Sequence, residues 1–260
     1  MAFRIGNAPV SFGAWSLEAS RAPGVPGPER ILQALAGAGY DGVELGPLGL
    51  FSQPEAIAAH GLTLSGAYVP VPFGAGLGPL DETLDLFDEV EAQARPILAD
   101  DGDGREPLDL DDVARAVEHV RARGYEPTFH HHMGTRVESE RDIERLLEGV
   151  DTPLLLDTGH LLAAGGDPAT ALGAWRDRID YVHVKDVDLQ TLRGAPDWPT
   201  AWRRNVFCEL GTGDVDVRSF LGELAGFDGW LVIEQDWVPQ PGDDAETQIA
   251  AQARNRAFVG

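Results

Sequence analysis

Short apolar runs and segments of helical spacing take turns along this chain. The apolar runs fall at residues 4–9, 39–45, 62–71, 96–100, 128–132, 154–157, 181–185 and 231–234. Runs this short, rich in Val, Ile and Leu, read as strands covered on both faces, as in a parallel sheet. Between them lie stretches with helical spacing at 29–38, 54–60, 81–94, 108–123, 139–147, 167–175, 217–225 and 245–259. In the first of these, Ile31, Leu32 and Leu35 share one face. Pro and Gly mark a loop at 22–28, an acidic glycine-rich loop follows at 100–104, and a long loop is expected over 188–203. Eight strands alternating with helices predict a single (β/α)8 barrel over residues 1–260, with the active site at the C-terminal ends of its strands.

Three of the apolar runs end in metal-binding residues: Leu154-Leu155-Leu156-Asp157, Tyr181-Val182-His183 and Leu231-Val232-Ile233-Glu234. Parallel strand ends converge on one face, so ligands far apart in sequence can meet there. Two carboxylates and an imidazole form a borderline-hard set, suited to one divalent Mn, Co, Mg, Fe or Zn ion. A fourth ligand is expected from the fifth strand or the loop after it. His130 and His132 share one face of that strand and His131 takes the other. Glu138 stands six residues beyond His132 and is favoured, because a second glutamate completes a shell with sites left for substrate oxygens.

Other side chains at the same strand ends suggest proton transfer and substrate binding. Lys185 follows His183 by two residues, hence on the same face, where it could hold an oxyanion or snorkel to the rim. His160, just past Asp157, is placed to shuttle protons or to orient that aspartate. Glu234 is a candidate base as well as a ligand. Glu44 ends the second strand, within reach of a polyol hydroxyl. Trp15, Tyr68 and Trp237, with His130 and His132, could wall a sugar-like ligand. Gly211-Thr212-Gly213-Asp214-Val215-Asp216 lacks a phosphate-loop pattern and reads as a turn. Neither a Ser-His-Asp elbow nor a dinucleotide fingerprint is evident, which disfavours hydride chemistry.

Composition narrows the partners. With 43% hydrophobic and 24% charged residues, the 260-residue chain can bury a large core. A formal net charge of -23 argues against nucleic acid and anionic membranes. The lone Cys208 excludes an intramolecular disulfide and suits a small buried hydrophobe better than a nucleophile. The N-terminus has no signal-peptide pattern and no run reaches transmembrane length, so a soluble, cytoplasmic protein is expected, with homo-oligomerisation open.

The chain resembles the xylose-isomerase-like TIM-barrel superfamily of sugar isomerases and epimerases, and within it the inosose (2-keto-myo-inositol) dehydratases. The resemblance rests on Asn7-Ala8-Pro9-Val10-Ser11-Phe12-Gly13, His130-His131-His132-Met133-Gly134-Thr135 with Val137-Glu138, and Leu156-Asp157-Thr158-Gly159-His160. It continues through His183-Val184-Lys185-Asp186, the segment from Val206 to Gly213, and Gly229-Trp230 through Glu234-Gln235-Asp236. Many superfamily members carry a glutamate at the fifth strand where His130 stands here. The resemblance implies a metal-dependent lyase or isomerase that removes a proton α to a carbonyl of a keto-polyol. Sugar isomerase or epimerase activity, or a non-catalytic sugar-binding barrel, are the alternatives.

Overall fold

Each predicted apolar run becomes a strand, with shifted ends. The computed structural model describes residues 3–51, 54–90, 92–102 and 107–260. The chain begins β1 (Arg4–Asn7), α1 (Pro28–Ala38), β2 (Gly42–Val43), α2 (Glu55–Ala59), β3 (Thr63–Leu64), β4 (Gly66–Val71), α3 (Gly78–Glu89) and β5 (Arg95–Asp100). It continues α4 (Leu110–Ala122), β6 (Thr128–His130), α5 (Glu140–Gly149), β7 (Leu154–Asp157), α6 (Thr158–Ala163), α7 (Pro168–Trp175) and β8 (Ile179–Val184). The last part holds β9 (Asp186–Val187), α8 (Leu189–Arg193), α9 (Trp198–Arg203), β10 (Phe207–Cys208), α10 (Val217–Glu223), β11 (Trp230–Ile233) and α11 (Ala245–Val259). This succession of strands and helices is that of the expected (β/α)8 barrel. Residues 103 and 104 of the predicted acidic loop, and residue 91 of the predicted third helix, lie outside the described residues.

The contacts divide the chain into two units, Met1–Ser65 with His183–Gly260, and Gly66–Val182. In the first, β3, β2, β1 and β11 are parallel neighbours in that order, with Gly6 opposite Gly42 and Ile5 opposite Leu231. A side chain at Gly42 would sit 2.6 Å from the Thr63 carbonyl and 2.7 Å from the Trp230 ring, so strand approach here demands glycine. Helix α11 buries amides rather than a hydrocarbon stripe: Gln248, Gln252 and Asn255. They are satisfied by Ser11, Gln235 and Asn7, as buried polar groups must be.

In the second unit β4, β5, β6 and β7 pair in parallel, with Ala99 and Leu155 both opposite His130. Ile97, Leu98, Leu154, Leu155 and Leu156 are wholly buried, which explains why these strands read as unbroken apolar runs. Ser139 and Asp142 form a reciprocal capping box that starts α5 where the sequence predicts it.

Two expectations are corrected. The predicted third strand is two, β3 and β4, parted at Ser65. The predicted long loop contains α8 and α9, of five and six residues, N-capped by the carboxylates of Asp188 and Asp197. Helices this short carry too few turns for a hydrophobic period, and only their caps announce them.

Asp180, in β8, makes a pH-dependent contribution. Burial raises its pKa from 3.8 to about 6, against the pull of Arg95, whose guanidinium is 3.0 Å away. A raised folded-state pKa means the native protein holds this proton more tightly than the unfolded chain. The stabilisation is therefore complete below pH 3.8 and is lost as pH rises through about 6. Asp180→Asn is expected to raise stability by about 1–3 kcal/mol at pH 8, with no gain at pH 3.5. Urea unfolding at both pH values checks this, and an equal effect at the two would refute it.

Candidate active site

In the first unit, five ionisable side chains meet at the ends of β2, β8 and β11. Glu44 follows β2, His183 lies in β8, Lys185 follows it, and Glu234 and Asp236 follow β11. All five are buried. His183 stands between two carboxylates: Nε2 is 2.8 Å from Glu44 Oε1, and Nδ1 is 2.7 Å from Glu234 Oε2. A neutral imidazole carries one N–H and one lone pair. If Nε2–H donates to Glu44, two electron-pair donors face each other at Nδ1 and Glu234, and a cation must lie between them. That cation is a proton or a metal ion.

Lys185 is not a rim residue. At 1% exposure it is buried, with Nζ 3.1 Å from Glu234 Oε2 and 3.1 Å from Asp236 Oδ2. The snorkelling alternative is thus excluded. Burial alone would raise the Glu234 carboxyl, but the neighbouring His183 and Lys185 charges outweigh it and hold the group below the usual carboxylate range. Three buried carboxylates, Glu44, Glu234 and Asp236, thus gather around one ammonium and one imidazole. Glu44, expected to meet substrate, has its carboxylate 2.8 Å from the far nitrogen of His183.

In the second unit, His130 ends β6 and Asp157 ends β7, both buried, with Nε2 and Oδ2 3.9 Å apart. The other oxygen of Asp157 accepts from the His160 backbone N–H at 2.8 Å and so caps α6. His131 points to the opposite face from His130, and its Nε2 accepts from the Asp157 backbone N–H at 3.0 Å. The His132 and His160 rings lie against each other with centres 3.8 Å apart, tilted by 43°. His132 Nδ1 donates to the Met133 carbonyl at 2.8 Å. Tyr68, 38% exposed, lies 5.9 Å from the His130 ring and 6.5 Å from that of His132. Glu138 is half-buried, and its Oε2 accepts from the Gly134 N–H at 2.8 Å, inside its own loop.

Sequence reasoning passed over four residues. Asp236 flanks Lys185, and His131 holds the backbone of Asp157. Asp100, at the end of β5, grips Arg136 through its backbone N–H at 2.8 Å and its guanidinium at 2.6 Å, which fixes the loop carrying His132 and Glu138. Asp186, wholly buried, accepts from the N–H groups of Val187, Gly211, Gly213 and Val215 at 2.9–3.0 Å. The glycine-rich turn is therefore folded around a carboxylate. An aspartate closing or directly following a predicted apolar run was the available signal for Asp100 and Asp186. Of the expected aromatic residues, Trp15 is 46% exposed, whereas Trp237 is buried in the core at 7%.

The family model for the xylose isomerase-like TIM barrel matches residues 99–255, well over half of the chain. The chain belongs to the xylose isomerase-like TIM barrel family. Among curated relatives of this family member, an inosose dehydratase of Geobacillus kaustophilus is 30% identical over 91% of this chain and 88% of its own length. An inosose dehydratase of Salmonella agona is 36% identical over 46% of this chain and 43% of its own, so the match spans under half of that relative. Among solved structures, the IOLI protein with a bound zinc atom superposes with a TM-score of 0.71 at 15% identity, covering 98% of this chain and 97% of that one. That likeness shows the shared barrel fold. Among the described residues of this TIM-barrel chain, no helix is long and apolar enough to cross a membrane.

Proposed function

We propose that this chain is a divalent-metal-dependent dehydratase acting on a keto-polyol of the inosose kind. It is an enzyme of the dehydratase or isomerase/epimerase type. The observation that carries the metal is the 2.7 Å approach of His183 Nδ1 to Glu234 Oε2, with Glu44 on the opposite ring nitrogen. Asp157, His183 and Glu234 are proposed as ligands, with His130 in the fourth place. Glu138, favoured from sequence, is held by the Gly134 N–H, whereas His130 ends its strand beside Asp157. Imidazole and carboxylate donors fit Mn, Co, Fe, Mg or Zn. When bound, such an ion polarises the substrate carbonyl and adjacent hydroxyl.

The chain's own groups supply the rest. Lys185, a buried ammonium, stabilises negative charge developing on the carbonyl oxygen. His160 moves the proton taken from the carbon α to the carbonyl, a role suited to imidazole near neutrality. Glu234 serves as ligand and as counter-charge to Lys185. Dehydration is complete when His160 hands that proton to the β-hydroxyl, whose C–O bond breaks as the enolate electron pair forms the C=C bond, so that the group leaves as water. Where no β-hydroxyl can leave, return of the proton gives isomerisation or epimerisation with the same residues. The inosose dehydratase relatives favour dehydration.

The test is a screen of the protein loaded with Mn, Co, Mg or Zn against inosose and against ketoses. Metal-dependent growth of the ultraviolet absorbance of a conjugated ketone is expected with inosose, and its loss on chelation. Absence of turnover for every keto-polyol with every metal would end this reading.

A further inference from the structure

Helix α11 buries Gln248, Gln252 and Asn255, which follow one another at helical spacing and share one face. The bonds of the last two lead to both chain segments that flank Lys185. The first segment is Glu234-Gln235-Asp236. Glu234 and Asp236 reach the Lys185 ammonium, each at 3.1 Å, while the Gln235 side chain between them turns to α11. Its Oε1 accepts from Gln252 Nε2 at 3.1 Å and from Asn255 Nδ2 at 3.3 Å. Its backbone N–H donates to Ser11 Oγ at 3.0 Å. The second segment is the turn that closes on Asp186, the residue after Lys185. Asn255 Oδ1 accepts from the Leu210 N–H of that turn at 2.9 Å. Beside it Gly211, at φ 84°, leaves no room for a side chain against Phe258 of the same helix.

The backbone sets the direction of these bonds. The Leu210 N–H can only donate, so Asn255 presents its oxygen there and its amino group to Gln235 and Gln252. Gln252 Oε1 then accepts from Asn255 at 3.3 Å and from Asn7 Nδ2, at the end of β1, at 3.1 Å. Gln252 Nε2 is left to donate to Gln235. Burying these amides costs more desolvation than an apolar stripe, which is the usual way to seat a helix. What the amides add is direction. A leucine packs in several ways, whereas a bonded amide fixes each of its partners in one.

We propose that Gln252 and Asn255 are positioning residues of the reaction: from α11 they hold Glu234-Gln235-Asp236 and the Asp186 turn in place, and so fix the Lys185 ammonium between its two carboxylates. This inference rests on the keto-polyol reading, in which Lys185 meets the developing oxyanion. Asp186 ties the turn to the lysine's own backbone by accepting from the N–H groups of Gly211, Gly213 and Val215. Asn255 therefore bears on Lys185 twice, through its neighbour in sequence and through its ion partners. Displacing a reacting group by about 1 Å costs about 10²-fold in rate, so these amides act on the reaction without touching substrate.

The test uses the metal-loaded full chain with inosose. Asn255→Ala removes both arms and is expected to lower kcat by about 10–100-fold, with KM within about threefold and metal content unchanged. In a Lys185→Met background the same substitution should cost less than about twofold, because the group it positions is gone. No loss, or a loss of equal size in both backgrounds as reduced folding alone would give, overturns the proposal. Gln252→Met leaves the Leu210 bond in place. It is expected to show the same dependence on Lys185, and it decides the matter if Asn255→Ala does not fold. Amide exchange measured without substrate is independent of turnover. Gly211 and Gly213, whose own bonds to Asp186 are untouched, should exchange at least about tenfold faster in Asn255→Ala, and unchanged exchange there overturns the proposal as well. If the wild type turns over no keto-polyol, the proposed reaction falls, and the exchange result alone decides whether α11 holds the segments around Lys185.

Discussion

Asp157→Asn and Glu234→Gln are expected to lose bound metal and, with it, at least about 10³-fold in turnover. A Lewis-acid metal supplies several kcal/mol of transition-state stabilisation, and each 1.36 kcal/mol is a factor of ten in rate. The variants are chosen to separate metal binding from folding. Asp157 also caps α6 through the His160 N–H, and asparagine keeps that cap while giving up the charge. Glutamine at 234 keeps the shape and an acceptor oxygen near Lys185 but cannot offer an anionic donor opposite His183 Nδ1. Elemental analysis after dialysis against one equivalent of Mn or Zn, with circular dichroism as a control on folding, gives the result. Full metal occupancy in both variants would remove these residues from the shell. The same measurement on His130→Ala and Glu138→Gln decides the fourth ligand: metal loss in the first and retention in the second is expected.

Lys185→Met is expected to retain metal yet lose about 10²–10³-fold in kcat, the size seen when one donor to a developing oxyanion is removed. It should also unfold more easily. Its ammonium sits 3.1 Å from both Glu234 and Asp236 at 1% exposure. Removing one partner from a buried ion cluster strands the others and costs about 3–5 kcal/mol. The double variant Lys185→Met/Asp236→Leu removes one stranded carboxylate as well. It should recover part of the stability and none of the activity. Recovery of both would mean that Lys185 balances charge and does nothing more. Arginine is not a conservative replacement here, since its planar fork does not fit where a point charge bridges two carboxylates.

The sequence by itself determined the fold class and singled out the residues proposed for the chemistry. Strands buried on both faces leave unbroken apolar runs such as Leu154-Leu155-Leu156, and any polar residue closing such a run stands out. Asp157, His183, Lys185 and Glu234 were legible for that reason. So was the opposite facing of His130 and His131, because side chains alternate along a strand. The family followed from motifs spread over the chain, and the matching family model over residues 99–255 bears it out.

What the sequence left open depends on partners distant along the chain. The carboxylate of Glu44 lies on His183, 139 residues away, and no local pattern encodes that distance. Lys185 could be read as rim or interior until Glu234 and Asp236 were found beside it, because a lysine stem suits both. Residues 188–203 read as loop because two short helices rely on Asp caps and on pairing of β9 with β10, whose residues Asp186 and Cys208 are far apart in sequence. Local periodicity decides which residues become strands and helices. Which carboxylate neutralises which cation, and which glycine-rich turn closes on Asp186, is decided only when the tertiary fold removes water and makes each buried charge find its partner.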